Sequence, residues 1–342
     1  FLMLTNLQVA AADAGMKRFD DEVGALLERM TLEEKIGQMS QVQAAVGHIP
    51  EELRAAVAAG RIGSILNEVD VGVVNELQRI AVEDSRLGIP LMMGRDVIHG
   101  FKTILPIPLG QAATFNPELV RKGARTAALE AASTGVNWTF APMIDISRDA
   151  RWGRIAESFG EDPYLTGVLG AAMVKGFQGD DFSEPGNIAA CAKHFAGYGA
   201  AESGRDYATT NIPENELRNV YLPPFKASVD AGVATIMASF SDLDGVPASA
   251  NAFLFRQILR EEWGFGGPDG LDAYVVSDCW AVNDFHENHK VSEDQATSAA
   301  WALKAGTDLN CGDAYRVLPE AMERGLVEEA DIDRALRRLL HT

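Results

Sequence analysis

Eight short apolar, β-rich segments recur along this chain, separated mostly by helix-length stretches, and this alternation constrains the fold more than any other feature. The segments are IGQMSQV (36–42), RIGSILNEV (61–69), LMMGRDV (91–97), VNWTFAPMID (136–145), AACAKHFAGYG (189–199), VATIMASFSDLDG (233–245), AYVVSDC (273–279) and GTDLNC (306–311). Helical patterns cover 71–86, 117–134, 162–178, 214–231, 251–262, 292–305 and 313–324, and EEADIDRALRRLL closes the chain. Parallel strands need such crossovers, so the pattern implies a parallel sheet. Eight units predict an α/β fold of the (β/α)8 TIM-barrel type over residues 25–342. An open doubly wound sheet is the alternative. It would carry a glycine-rich phosphate turn after its first strand, and neither GHIP nor GRIG is that motif.

The barrel reading gives meaning to the polar residues at the ends of the apolar segments. Asp96, Asp145, the Lys193-His194 pair, Asp278 and Asp308 are expected at or just past the C-terminal strand ends, which converge on the catalytic face of such a barrel. Helix capping explains one such aspartate, but five strands sharing the habit point to a site, with Asp308 itself read as barrel packing or a cap. Carboxylates accept hydrogen bonds from sugar hydroxyls, while Lys, Arg and His donate them. A carboxylate kept ionised by a nearby cation is also a sound nucleophile for glycosidic bonds, and Asp278 at the end of YVVSD is the candidate.

The formal net charge is −19. A surface this acidic repels phosphate backbones and anionic membranes, so neither is an expected partner. The three cysteines, Cys191, Cys279 and Cys311, exclude a disulfide framework and form no CxxC pair for zinc. They leave open a single bridge between Cys279 and Cys311. His286 and His289 stand three apart, not four as in HExxH, and no metal or other cofactor is assigned. Residues 1–24 read as an N-terminal arm or the remnant of a signal peptide, which favours a periplasmic or secreted protein over a cytoplasmic one.

APMIDISRDARWGRIAESFGEDPYL (141–165) resembles the signature of glycoside hydrolase family 3. The resemblance continues in order through MTLEEKIGQM (30–39), GIPLMMGRDVIHG (88–100), KHFAGYG…GRDY (193–207), LRNVYLPPFKASVDAG (217–232), DGVPASANAFLFRQILREEWGF (244–265), VVSD (275–278) and ALKAGTDLNCG (302–312). It implies a retaining exo-β-glycosidase that removes terminal β-D-glucose from β-glucosides. It implies Asp278 as the nucleophile, and Asp96, Arg154, Lys193 and His194 as a clamp on the terminal sugar. Tyr221 is implied as a tyrosine beside the nucleophile, and Met237 as an apolar wall. Glu157 is read as the salt-bridge partner of Arg154, and Asp145 as a structural partner of arginines.

Three departures from the family pattern bear on function. Most β-glucosidases of the family take their acid/base glutamate from a second α/β/α sandwich domain. Here the chain ends after the last barrel helix, so the expectation is a barrel without that domain, its acid supplied locally or by another chain. Tyr198 stands where the N-acetylglucosaminidase branch has a histidine. Trp280 occupies a position that is often glycine, as a pocket filler or stacking wall. The first half resembles bacterial β-glucosidases and VVSDC…ALKAGTDLNCG resembles the β-xylosidase branch, so dual glucosidase and xylosidase activity is expected. A sugar-binding barrel with weak or no catalysis is the competing expectation. A barrel face that normally meets a second domain would be apolar and favour homo-oligomers.

Overall fold

A computed structural model describes residues 19–181 and 184–342. The first eighteen residues of the expected 1–24 arm lie outside that range. Residues 19–24 belong to a helix that runs to residue 29, across the expected boundary at 25. Among the described residues no helix is long and apolar enough to cross a membrane.

Eight parallel strands form the centre of the molecule: β1 (Ser40–Gln43), β2 (Ser64–Leu66), β3 (Met92–Arg95), β4 (Trp138–Thr139), β5 (Ala189–Phe195), β6 (Thr235–Ala238), β7 (Tyr274–Val276) and β8 (Asn310–Cys311). Each pairs with the next from β1 to β7, and β8 returns to β1. A bridge between Val276 and Leu309 closes the ring between β7 and β8. The (β/α)8 expectation therefore holds, and the open doubly wound alternative does not.

Strand parity sorts the core into two shells. Trp138, Phe140, Cys191, Met237, Tyr274 and Val276 pack together inside the ring. Their neighbours Ala190, Ala192, Ile236 and Val275 face outward onto the helices. Inside, the Trp138 indole N–H donates to Thr235 Oγ1 at 2.9 Å, which satisfies the polar tip of the ring. In the outer shell the helices Pro117–Ala132 and Pro163–Gln178 pack closely. A Cβ on Gly176 would lie 2.5 Å from the Arg121 carbonyl oxygen, so glycine is required at that approach.

The strands are shorter than their apolar runs, and two show the reason plainly. IGQMSQV begins inside a helix, Leu32–Gln38. Thr31 caps it: its hydroxyl accepts from the Glu34 N–H at 3.2 Å, and the Glu34 carboxylate accepts from the Thr31 N–H at 2.8 Å. Thr31→Ala is expected to cost about 1 kcal/mol in chemical denaturation, and an unchanged midpoint would contradict the cap's role. VNWTFAPMID forms a regular strand only over Trp138–Thr139, and beyond it Met143 bridges Lys193 of β5. Pro142 has no N–H to continue it, and the rest of that run feeds the loop that builds the site.

Candidate active site

Parity carries one residue of β7 to the reaction face. Tyr274 and Val276 point into the barrel, and Asp278, two residues further on, continues the same row just past the strand end. Asp96 follows β3, Lys193 and His194 lie in the last turn of β5, and Met237 lies in β6. The β5–β6 ladder slips between Lys193 and Phe195, and both Lys193 and His194 reach one cavity. It measures about 450 Å³, and Asp96, Arg154, Lys193, His194, Met237 and Asp278 all line it. A larger groove of about 870 Å³ lies beside helix Leu32–Gln38. There Glu33 pairs with Arg61 at 3.6 Å, and no set of buried ionisable groups converges, so the chemistry selects the smaller cavity.

Lys193 is buried and its ammonium lies 2.5 Å from the Asp96 carboxylate, which is half exposed. Burial alone would depress the lysine, but Asp96 and Asp278 together offset it and hold the ammonium above its ordinary range. Arg154 donates twice to Glu157, at 2.7 and 3.0 Å, and stacks 5.4 Å from the Tyr198 ring centroid. Asp278 is 14 % exposed. Its Oδ1 accepts from the Cys279 N–H at 2.8 Å, and its Oδ2 lies 3.5 Å from His194 Nε2. Burial pushes its carboxyl up to about 6, against the pull of Lys193 and Arg154. It is thus ionised at neutral pH and weakly solvated, as a nucleophile should be.

Two expected site residues, Tyr221 and Trp280, fall elsewhere, and Asp308 does not stand at the C-terminal end of its strand. Tyr221 is buried in the helical layer among Leu217, Leu222 and Phe225 and does not line the cavity. Its hydroxyl is oriented toward Glu216 and Arg148. Tyr207, from the GRDY stretch, lines the cavity instead, together with Asp206 and Phe240. Trp280 has a positive φ of 70° and is 54 % exposed, and it does not line the cavity. Its indole packs over Gly312. Asp308 precedes β8 rather than following it, so it stands at the opposite end of the barrel. It accepts from Arg338 at 2.7 Å and Arg260 at 3.1 Å. Asp145 does not pair with arginines: its Oδ2 lies 2.7 Å from His194 Nδ1 and accepts the His194 backbone N–H at 3.0 Å.

The cysteine question closes as well. Cys279 and Cys311 form a disulfide, and Cys191 is free and buried. The bond joins the upper ends of β7 and β8 beside Asp278, and Cys279 lines the cavity. His289 Nε2 lies 3.1 Å from the Phe240 carbonyl oxygen, and His286 Nδ1 lies 3.2 Å from Ser298 Oγ. Glu157, read only as a partner of Arg154, also lines the cavity. GRDY was the signal for Asp206 and Tyr207, since its position in the motif was visible but its side-chain direction was not.

Residues 31–342 match the model of the glycosyl hydrolase family 3 N terminal domain. The chain is 40% identical over 324 residues to a periplasmic beta-glucosidase of Salmonella typhimurium, covering 94% of this chain and 41% of that protein. It is also 40% identical over 283 residues to a xylan 1,4-beta-xylosidase of Xylanibacter ruminicola, covering 75% of this chain and 32% of the relative. The structure superimposes on a beta-glucosidase from Listeria innocua in complex with glucose with a TM-score of 0.86 and 37% identity, over 94% of this chain and 46% of that one. The chain spans less than half the length of these relatives. With the motifs in order along one barrel and a family match over nearly its whole described length, this chain belongs to glycosyl hydrolase family 3, to whose N-terminal domain it corresponds.

Proposed function

We propose that this barrel provides the nucleophile and sugar pocket of a retaining exo-β-glycosidase that releases terminal β-D-glucose from β-glucosides. The observation that carries the reading is Asp278: a nearly buried carboxylate at the C-terminal mouth, in the field of Lys193 and Arg154 and lining one cavity with them. Its carboxylate attacks the anomeric carbon and forms a glycosyl ester as the aglycone oxygen departs. Water then cleaves the ester and frees the sugar with retained configuration. Asp96, Lys193 and Arg154 hold hydroxyls of the terminal sugar, His194 lines the same pocket beside Asp278, and Phe140 and Met237 provide apolar walls.

The departing oxygen needs a proton. The other carboxyls lining the cavity are engaged: Asp96 with Lys193, Glu157 with Arg154, and Asp206 with the Trp152 indole N–H at 3.0 Å. The acid is therefore proposed to come from outside this barrel. Equal identity to a glucosidase and a xylosidase supports a second substrate reading, terminal β-xylose, which differs by one hydroxymethyl group. One pocket separates such sugars weakly. A disulfide beside the site suits an oxidising compartment, and with a relative named periplasmic it supports export.

The test is incubation with a 2-deoxy-2-fluoro β-glucoside, and its xyloside counterpart, bearing a good leaving group. Such a group departs with little protonation, so trapping does not depend on the acid. The expected result is a mass gain of one fluoroglycosyl unit, mapped to Asp278. Labelling should quicken with rising pH through about 6 and then level off, because only the ionised form of Asp278 attacks. No label on a protein that still binds glucose would replace this reading with a sugar-binding barrel.

A further inference from the structure

We propose that Asp145 is a positioning residue that acts through His194, keeping Nε2 of that ring protonated and aimed at the Asp278 carboxylate. The inference rests on the glycosidase reading for its purpose, though not for its geometry. The His194 ring stands between two carboxyl groups. Nδ1 lies 2.7 Å from Asp145 Oδ2, and Nε2 lies 3.5 Å from Asp278 Oδ2. Asp145 and His194 are both about 1 % exposed, so water does not mediate their choice of protonation.

Count the protons. A neutral imidazole carries one, and one proton serves only one of the two contacts. Placed on Nδ1, it would leave the Nε2 lone pair facing the Asp278 carboxylate. It would also leave Asp145 ionised in the interior with Oδ1 unpartnered, which is costly. A second proton held by the Asp145–His194 pair removes both conflicts. The pair is then neutral, whether written as acid and imidazole or as carboxylate and imidazolium, and Nε2 is a donor in either form. As an acid, Asp145 can donate from Oδ2 to Nδ1 while that same oxygen accepts the His194 backbone N–H. Burial pushes Asp145 up to about 8 and His194 well below its ordinary range, which matches the acid–imidazole form.

The groups that bear on Asp278 are Lys193, Arg154, Asp96 and the Cys279 N–H. Asp206, Tyr207 and the Arg154-bound Glu157 line the same cavity. His194 itself meets the Tyr198 ring edge-on, with centroids 5.1 Å apart. Of these, only the Nε2–H reaches Asp278 from a fully buried ring fixed from behind. At 3.5 Å the contact is long for a hydrogen bond, and contacts of this kind tighten when substrate closes the site. The donor then holds one carboxylate oxygen while the other attacks.

The experiment is ¹⁵N spectroscopy of the imidazoles of this chain at pH 7, with His194→Gln used to assign the signal. In the unsubstituted protein Nε2 should resonate as a protonated nitrogen; a bare Nε2 overturns the proposal. In Asp145→Asn the side-chain oxygen is needed by the His194 N–H and accepts only, so the ring proton moves to Nδ1 and Nε2 becomes bare. An unchanged ring overturns the proposal too. Trapping by the fluoroglucoside should slow by about 10²-fold in Asp145→Asn, and its acid limb should move upward. In a His194→Gln background, where the amide N–H can stand in for Nε2–H, Asp145→Asn should leave the limb in place. Should Asp145→Asn fail to fold, the spectrum of the unsubstituted protein still decides. Should that protein take no label, the glycosidase reading falls while the spectrum still tests the pair.

Discussion

Asp278→Asn will abolish fluoroglucoside trapping and lower turnover of an activated aryl β-glucoside by about 10³-fold or more, equivalent to roughly 4 kcal/mol of transition-state stabilisation. The amide keeps the shape of the side chain but cannot form the ester. The same substitution should make the protein more stable. The folded-state pKa of Asp278, about 6, lies above the ordinary aspartate value of 3.8. The native state therefore prefers the neutral form, and ionisation costs stability progressively as pH rises from about 4 to 6, then levels off. At pH 7 that cost is about 3 kcal/mol, and Asn relieves it. Thermal melts and kinetics measured on one preparation check both arms. A variant that retains trapping removes Asp278 from the chemistry, and one that loses trapping and melts early has simply misfolded.

Asp308→Ala is expected to destabilise the barrel by about 3–5 kcal/mol, a fall in Tm of roughly 10 °C. Asp308 is 1 % exposed, and it joins Arg260 and Arg338, whose side chains are 12 % and 14 % exposed. It also accepts the Val275 N–H at 2.9 Å. Without it two nearly buried guanidinium groups face each other with no anion between them. Burial already drags Arg260 down to about 10. A melting temperature within about 2 °C of the unsubstituted protein would mean that the arginines find other partners. Because the cluster is at the end of the barrel away from the cavity, trapping per folded molecule should not change.

The strand count and the inward row of β7 were legible because parity and apolar runs are local properties. YVVSD places its Tyr, the second Val and the Asp on one side whatever surrounds them. The limits of the runs were not legible where another local signal competed. Thr31 and Glu34 drew the start of IGQMSQV into a helix, although their T-x-x-E spacing was in plain view. GTDLNC looked like a strand ending near Asp308, but only Asn310–Cys311 joins the ladder, which reverses the end of the barrel that Asp308 occupies. Apart from the Cys279–Cys311 bridge, the partnerships across long sequence separations described above left no local trace. Nothing near Asp145 indicates that its partner is His194, 49 residues away. Nothing near Tyr221 indicates that it turns into the helical layer while Tyr207 turns into the cavity.

The closure between β7 and β8 is held at both ends, above by the Cys279–Cys311 bond and below by Asp308 with its two arginines. The last strand therefore cannot fray as an edge strand does. The Ser277 N–H donates across this seam to the Leu309 carbonyl, and the Cys311 N–H donates to Ser277 Oγ. In hydrogen-exchange terms, these amides flank the proposed nucleophile yet have no local opening of their own. They should exchange only when the whole barrel unfolds. Reduction of the disulfide would give them a second, sub-global route, making the wall beside Asp278 a separate cooperative unit.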